Sequence, residues 1–391
     1  MSDFWQHGPI TTIHRLPGPG IGALRAMLGA GSRRRPPALL IPALASEMDG
    51  PAWPVIMEEL KRADYLAEVV LALGRASRKD LDRAKGFLDD LPARATVVWP
   101  ESENLAPVLE KARPEVDVGP PGKGRDVWIA LGYLAGRRAF HAVALHDADI
   151  VTFTEEIPLR LLAPLVHPEL RFAFCKGFYA RVSGALLAGR VTRLLVVPLV
   201  SVLVKEAFTP ALRTIGAMRY ALAGEFSMTM ELASRIPVPR DWGLEVGILS
   251  AVARAVGFEG VCQVDLCENY DHKHQEVHPE DTTRGLNRMA VEVSAALLRE
   301  VASPPQDLPA RYREAALALA PRFRADALAN GLSWDEDAEM RAIEVFTRAL
   351  EKAMGLKEAD VPGPLPSWEE TKGRVPGLAR AIVEAVERDN A

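Results

Sequence analysis

The chain has 391 residues, 48% of them hydrophobic, enough to bury one large domain with an appendage or two modest domains. Its 47 basic and 52 acidic residues leave a net charge of −5, which excludes a general nucleic-acid surface, because a phosphate backbone demands a clear basic excess. Three cysteines, Cys175, Cys262 and Cys267, form no Cys-x-x-Cys pair, so neither a disulfide framework nor a zinc site is indicated, and a reducing cytoplasm is the expected compartment.

From the amino end, Met1-Ser2-Asp3-Phe4-Trp5 lacks the basic-then-apolar order of an export signal, and residues 1–35 are predicted as an arm. Gly18-Pro19-Gly20-Ile21-Gly22 is not a dinucleotide fingerprint, since no strand precedes it and a proline interrupts it. Arg33-Arg34-Arg35 reads as a solvated approach to the first strand. Short aliphatic runs at 38–44, 68–73, 95–99 and 141–145 alternate with helix-period segments at 53–62, 77–88, 104–112 and 126–136, the pattern of βαβ units in a parallel sheet. Ser77 and Ser102 stand where helix N-caps are expected.

A second block predicts strands at 171–178 and 260–266 and helices at 191–205 and 243–256, which complete the sheet and supply an acceptor side. Its most apolar stretch, 194–204, is too short to span a bilayer and contains Pro198, so it is expected as a buried helix and not a membrane span. Beyond 281 only helices are predicted, at 287–301, 310–328, 335–354 and 369–388, separated by Pro304-Pro305 and the proline-rich 361–366. The expected organisation is an arm (1–35), an α/β catalytic domain (36–280) divided near residue 150, and a helical tail (281–391). The tail's amphipathic faces suit packing on the sheet domain or on a second subunit in a homodimer.

Chemistry concentrates at a few points. Asp147-Ala148-Asp149 directly follows an apolar run, so two carboxylates project from the carboxyl end of a buried strand, where open α/β sheets bind ligands. Two such groups beside a nucleotide's phosphates call for a divalent cation with a taste for oxygen, Mg²⁺ or Mn²⁺. Gly119-Pro120-Pro121-Gly122-Lys123-Gly124 opens a helix and aims backbone N–H groups and one lysine at a crevice, although its spacing is not that of a Walker A loop. Pro42-Ala43-Leu44 with Ala45, Ser46 and Glu47 forms a strand exit able to clasp a base and ribose. Gly189-Arg190-Val191-Thr192 at a helix start makes a cradle for phosphate or carboxylate. Asn269-Tyr270-Asp271-His272-Lys273-His274-Gln275 follows a strand, and its histidines suit a metal.

Together with Gly224-Glu225-Phe226 and Gly243-Leu244-Glu245-Val246-Gly247, these pieces resemble the glucosyl-3-phosphoglycerate synthases over roughly residues 38–300. The resemblance implies a GT-A fold, a Rossmann-like mixed sheet flanked by helices. It also implies a retaining, metal-dependent transfer of glucose from a nucleoside-diphosphate-glucose to the 2-hydroxyl of 3-phospho-D-glycerate. By the same resemblance Pro42, Ala43, Leu44 and Glu47 hold the nucleoside, Lys123 and Asp147 approach the diphosphate, and Asp149 and His272 ligate Mg²⁺ or Mn²⁺. Gly189, Arg190, Val191 and Thr192 then hold the acceptor, and Glu245 is the carboxylate assigned to the donor sugar. Two positions depart from the family: Ala45-Ser46 stand where it carries an Asn-Glu pair, leaving the base open among UDP, GDP and ADP. Tyr270 stands where it carries an arginine, so Tyr270, Lys273 or His274 inherits part of the acceptor grip. A mannosyl-3-phosphoglycerate synthase using GDP-mannose is the nearest alternative; a sugar-nucleotidyltransferase or a non-catalytic nucleotide-sugar-binding protein is more distant.

Overall fold

The structure, a computed structural model, describes residues 6, 8–16, 18, 20–271, 285–357 and 360–391. Strands β1 (Thr11–Ile13), β2 (Pro37–Leu44), β3 (Glu68–Gly74), β4 (Arg94–Val98), β5 (Ala142–Leu145), β6 (Phe174–Phe178), β9 (Phe226–Thr229) and β10 (Val261–Asp265) form one eight-stranded sheet in the order β1-β10-β6-β9-β5-β2-β3-β4. A small hairpin, β7 (Val182–Ser183) and β8 (Leu186–Leu187), stands outside it. Strands β2, β3 and β5 are apolar runs because both faces of the sheet are covered, as central parallel strands require. Pairing is parallel except at β9, which runs antiparallel to both β5 and β6 and makes the sheet mixed. That strand was not predicted: Phe226-Ser227-Met228-Thr229 is short and lacks a β-branched run, and its place is set by its neighbours.

The elements read from the sequence in 36–136 are present within a residue or a few, and Ser77 caps its helix by accepting the Asp80 N–H. Ser102 accepts the N–H of Leu105, just ahead of the helix Ala106–Ala112. The helix Glu156–Val166 was missed because Pro158 and Pro164 disguise its pattern. Residues 1–35, expected as an arm, supply β1 and the helix Gly20–Ser32, which lies against Glu156–Val166. Arg33 and Arg34 are exposed as expected, whereas Arg35 donates to the carbonyl of His167 at 2.7 Å. The apolar stretch 194–204 is a buried helical segment, a wide π-type turn (Val191–Val196) running into the helix Val197–Glu206. Among the described residues no helix is long and apolar enough to cross a membrane.

The tail does not stand apart. Tyr312, Ile343, Phe346, Leu350, Ile382 and Val386 lie in the same core as Leu131, Leu199 and Leu249 on one face of the sheet. Trp368 stacks on Trp128 with ring centroids 4.2 Å apart, and each indole N–H finds a carbonyl, Trp128 to Pro366 at 2.7 Å and Trp368 to Trp128 at 2.9 Å. The contact needs Gly132, where a Cβ would fall 1.9 Å from the Trp368 ring. The predicted helix 369–388 is two helices, Trp368–Arg374 and Leu378–Asn390, because Pro376 and Gly377, with φ +87°, end the first. At its tip the Asn390 amide bonds both the N–H (2.9 Å) and the C=O (2.8 Å) of Val97, covering the open edge of β4. The tail's apolar faces therefore pack within the chain, and the homodimer no longer rests on them.

A lysine is buried inside the sheet. Lys176 on β6 is 1% exposed, donates to the carbonyl of Ala223, and sits with its Nζ 5.1 Å from the Phe226 ring centre. Burial pushes its pKa down to about 8, against the pull of Glu245 and Glu225. A depressed lysine pKa means the native state sheds its proton before the unfolded chain does. The cost of burying the ammonium is thus full below pH ~8 and relieved as the pH rises toward ~10.4. Relative to a Lys176→Met variant, the wild-type protein should gain on the order of 3 kcal/mol of unfolding free energy between those limits. Parallel urea titrations of both proteins across that range check this, and a constant difference would show that the ammonium carries no burial cost.

Candidate active site

Three elements deliver one ion cluster at the carboxyl end of β5. Lys123 opens the helix Lys123–Arg137. That helix start is pressed against the segment at 239–240, for a Cβ on Gly124 would fall 2.0 Å from the Pro239 carbonyl oxygen. Asp147 leaves β5, and Glu245 occupies the first turn of the helix Leu244–Val256. The Lys123 Nζ lies 2.7 Å from Asp147 Oδ1 and 3.3 Å from Glu245 Oε1. Burial works against its ammonium, but those two carboxylates outweigh it and raise its pKa above the ordinary lysine value.

The strand exit expected to hold the nucleoside meets the same place through register. Strand β2 pairs with β5 only as far as Leu40 opposite Leu145, so Pro42, Ala43 and Leu44 run on beside the turn that carries Asp147 and Asp149. Glu47 folds back to accept the Leu44 N–H at 2.8 Å. Its pKa is pushed up to about 7, first by burial and then by the charges of Asp149 and Asp147, while Leu44 and Lys123 pull it down. Asp147, Asp149, Glu47 and Glu245 thus share this end of the sheet. The ensemble has oxygen donors and surplus negative charge, the chemistry that a hard divalent cation satisfies. Among the described residues no group of three His, Cys, Asp or Glu side chains is close enough to hold an ion alone. His272, Lys273 and His274 lie outside the described residues. Asp271, the last before them, is bonded through its C=O to Val151 N (3.0 Å) and through its N–H to Thr152 Oγ1 (3.0 Å), just beyond Asp149.

Beneath the ion cluster lies a carboxylate to which the sequence reading gave no role. Glu225, fully buried at the mouth of β9, accepts hydrogen bonds from Tyr179 (2.7 Å), Tyr270 (2.5 Å) and, weakly, the Asp147 N–H (3.4 Å). Burial and the neighbouring Asp147 charge raise its pKa. Tyr179 and Tyr270 stack with centroids 3.8 Å apart and planes 6° apart. Tyr270 is 1% exposed and its hydroxyl donates to Glu225.

The Gly189–Thr192 loop joins this assembly through Tyr220. Its ring lies tilted by 35° against Tyr179 with centroids 5.0 Å apart, and its hydroxyl accepts from Arg181 at 3.2 Å. Gly189 turns at φ +76°, and a Cβ there would stand 3.1 Å from the Tyr220 hydroxyl. Val191 and Thr192 are buried, and the Thr192 hydroxyl has no hydrogen-bond partner among the described residues. Arg190 reaches Glu339 of the tail through Nε at 3.0 Å. Asp147, Glu225, Tyr179 and Tyr220 therefore lead from the carboxylate turn to the Gly189–Thr192 loop.

No family model matches the chain. The glucosyl-3-phosphoglycerate synthase of Persephonella marina is 38% identical to it over 405 residues, covering 100% of both chains. The chain belongs to the glucosyl-3-phosphoglycerate synthase family. The synthase of Methanococcoides burtonii is 36% identical, over 90% of this chain and 89% of that relative. A crystal structure of the Mycobacterium tuberculosis synthase in complex with Mn²⁺, UDP-glucose and phosphoglyceric acid is similar with a TM-score of 0.56 and 26% identity, over 77% of this chain and 90% of that one. The GT-A expectation is borne out by that likeness and by the mixed sheet.

Gly224 leaves Asp147 its room: a Cβ there would fall 2.6 Å from Asp147 Oδ2. A Gly224→Ala variant should push the carboxylate off Lys123 and lower turnover by about 100-fold, the cost of a displacement near 1 Å at a reacting centre. Steady-state kinetics beside a thermal melt check this; unchanged kcat would mean that the position of Asp147 does not matter.

Proposed function

We propose that this member of the family moves glucose from a nucleoside-diphosphate-glucose to the 2-hydroxyl of 3-phospho-D-glycerate, with retention at the anomeric carbon. The observation that supports it best is the ion cluster of Lys123 with Asp147 and Glu245, linked through Glu225, Tyr179 and Tyr220 to the Gly189–Thr192 cradle. Asp149 and His272 are assigned to hold Mg²⁺ or Mn²⁺, which when bound neutralises the diphosphate as a Lewis acid. Pro42, Ala43, Leu44 and Glu47 grip base and ribose. Lys123 faces the diphosphate and stabilises the charge that grows on it as the sugar departs. Glu245, near the donor sugar, is ion-paired to Lys123, which favours same-face attack over a covalent glycosyl carboxylate.

In that attack the acceptor 2-oxygen bonds to the anomeric carbon while the bond from that carbon to the diphosphate oxygen breaks. The hydroxyl proton passes to the departing diphosphate. Arg190, Thr192 and the loop backbone hold the acceptor's phosphate or carboxylate, with Lys273 as a further cation. Tyr270 acts from below by fixing Glu225. Residues 36–280 form the catalytic unit in this reading, and a nucleoside-diphosphate donor together with three free cysteines suits a cytoplasmic enzyme.

The test is product formation from 3-phosphoglycerate with Mg²⁺ or Mn²⁺ against UDP-glucose, GDP-glucose, ADP-glucose and GDP-mannose, with Asp149→Ala alongside. Turnover with a glucose donor that falls at least about 100-fold in the variant is expected, the scale of losing one electrostatic stabiliser of the transition state. Turnover with GDP-mannose alone would replace the sugar assignment, and a fully active Asp149→Ala would remove the metal assignment.

A further inference from the structure

The tail carries a carboxylate aimed at the acceptor cradle. Glu339 lies in the first turn of the helix Glu336–Met354, whose N-cap Asp335 accepts the Ala338 N–H at 2.9 Å. It is only 3% exposed, yet it serves two arginines at once: Arg190 through Nε (3.0 Å) and Arg193 through Nη1 (2.8 Å) and Nη2 (3.2 Å). These contacts span 149 and 146 residues of sequence.

The two arginines are held differently. Arg193 also donates to the carbonyls of Ala188 and Leu187, both at 3.0 Å, and its guanidinium lies 5.3 Å from the Phe323 ring and 5.9 Å from the Trp334 ring. It is a fixed strut, its side chain 9% exposed. Arg190 is 31% exposed and is held by Nε alone; its two Nη groups make no hydrogen bond among the described residues. The tail is also pinned to the hairpin ahead of the cradle, through Ser333 N to the Ala185 carbonyl at 2.7 Å and the bridge between Leu186 and Ser333. A planar guanidinium gripped on one edge presents its other edge as a fork, the geometry that takes two phosphate oxygens side by side.

We infer that Glu339 is a positioning residue for the acceptor: it holds the Nε edge of Arg190 so that the Nη edge is set for the phosphate of 3-phosphoglycerate. This rests on the acceptor reading of the Gly189–Thr192 loop given above. It also explains how a carboxylate can stand beside an anion site without repelling the anion, since its charge is shared between two guanidinium groups and the cluster keeps a net positive charge.

The test is steady-state kinetics on the full chain with Glu339→Gln, Glu339→Asp, Arg190→Ala and the Glu339→Gln/Arg190→Ala double variant. Glu339→Asp keeps the charge opposite buried Arg193 and so guards against a failure to fold, while pulling the carboxylate back from Arg190. Both Glu339 variants should raise the acceptor KM about 10-fold, equivalent to ~1.4 kcal/mol, with the donor KM unchanged. In the Arg190→Ala background Glu339→Gln should add nothing further, a coupling that a merely structural residue would not show. An acceptor KM that Arg190→Ala raises but neither Glu339 variant alters would overturn the positioning role alone. So would equal effects of Glu339→Gln with and without Arg190. If Arg190→Ala itself leaves the acceptor KM unchanged, the acceptor reading of the loop falls, and the inference with it.

Discussion

The lysine between two carboxylates at the end of β5 is the constraint around which the chain is organised. Ion pairs whose partners stay 38% and 30% open to water, as Lys123 and Asp147 do, add little to stability, so their retention points to a demand other than folding. Lys123, Asp147 and Glu245 come from three elements far apart in sequence, and their distances of 2.7 and 3.3 Å require the helix starts at 123 and 244 to face one strand end. The antiparallel strand β9 serves that requirement. It brings Gly224 against Asp147 and Glu225 beneath it, where a parallel strand would enter from the opposite end of the sheet.

From that point the assembly extends through a chain of side-chain contacts. Glu225 is sealed by Tyr179 and Tyr270, Tyr179 carries Tyr220, and Tyr220 meets the turn at Gly189. The helical tail closes the far side, its Glu339 clamping the arginines of the cradle and its last helix covering the edge of β4. A stretch of chain that looks like an appendage in the sequence is thus part of the sheet domain's core and of the cradle.

Much of the donor side was legible because its signals are local. Buried parallel strands are unbroken apolar runs, the covering helices keep their period, and Asp147 and Asp149 sit beside each other at a strand end. Strand β9 was not legible, since four residues without a distinctive composition take their state from the strands on either side. The helix at 156–166 was hidden by its prolines, and the turn at Pro376-Gly377 was read through because the flanking segments share a helical period. Glu225 and Glu339 escaped for a different reason. Glu225 stands in the Gly224-Glu225-Phe226 motif and Glu339 in a helix start, but the role of each exists only through partners that are distant in sequence. Tyr270, read as part of the acceptor grip in place of an arginine, proves to share a buried carboxylate with Tyr179.

In the proposed reaction the donor's charge is gathered at the carboxyl end of β5. Anomalous scattering from crystals of the full chain grown with Mn²⁺ and UDP-glucose tests it most directly. One strong manganese peak bound by Asp149 and His272 is expected, with the diphosphate between it and Lys123. A peak elsewhere, or a bound nucleotide whose diphosphate lies away from Lys123, would contradict it.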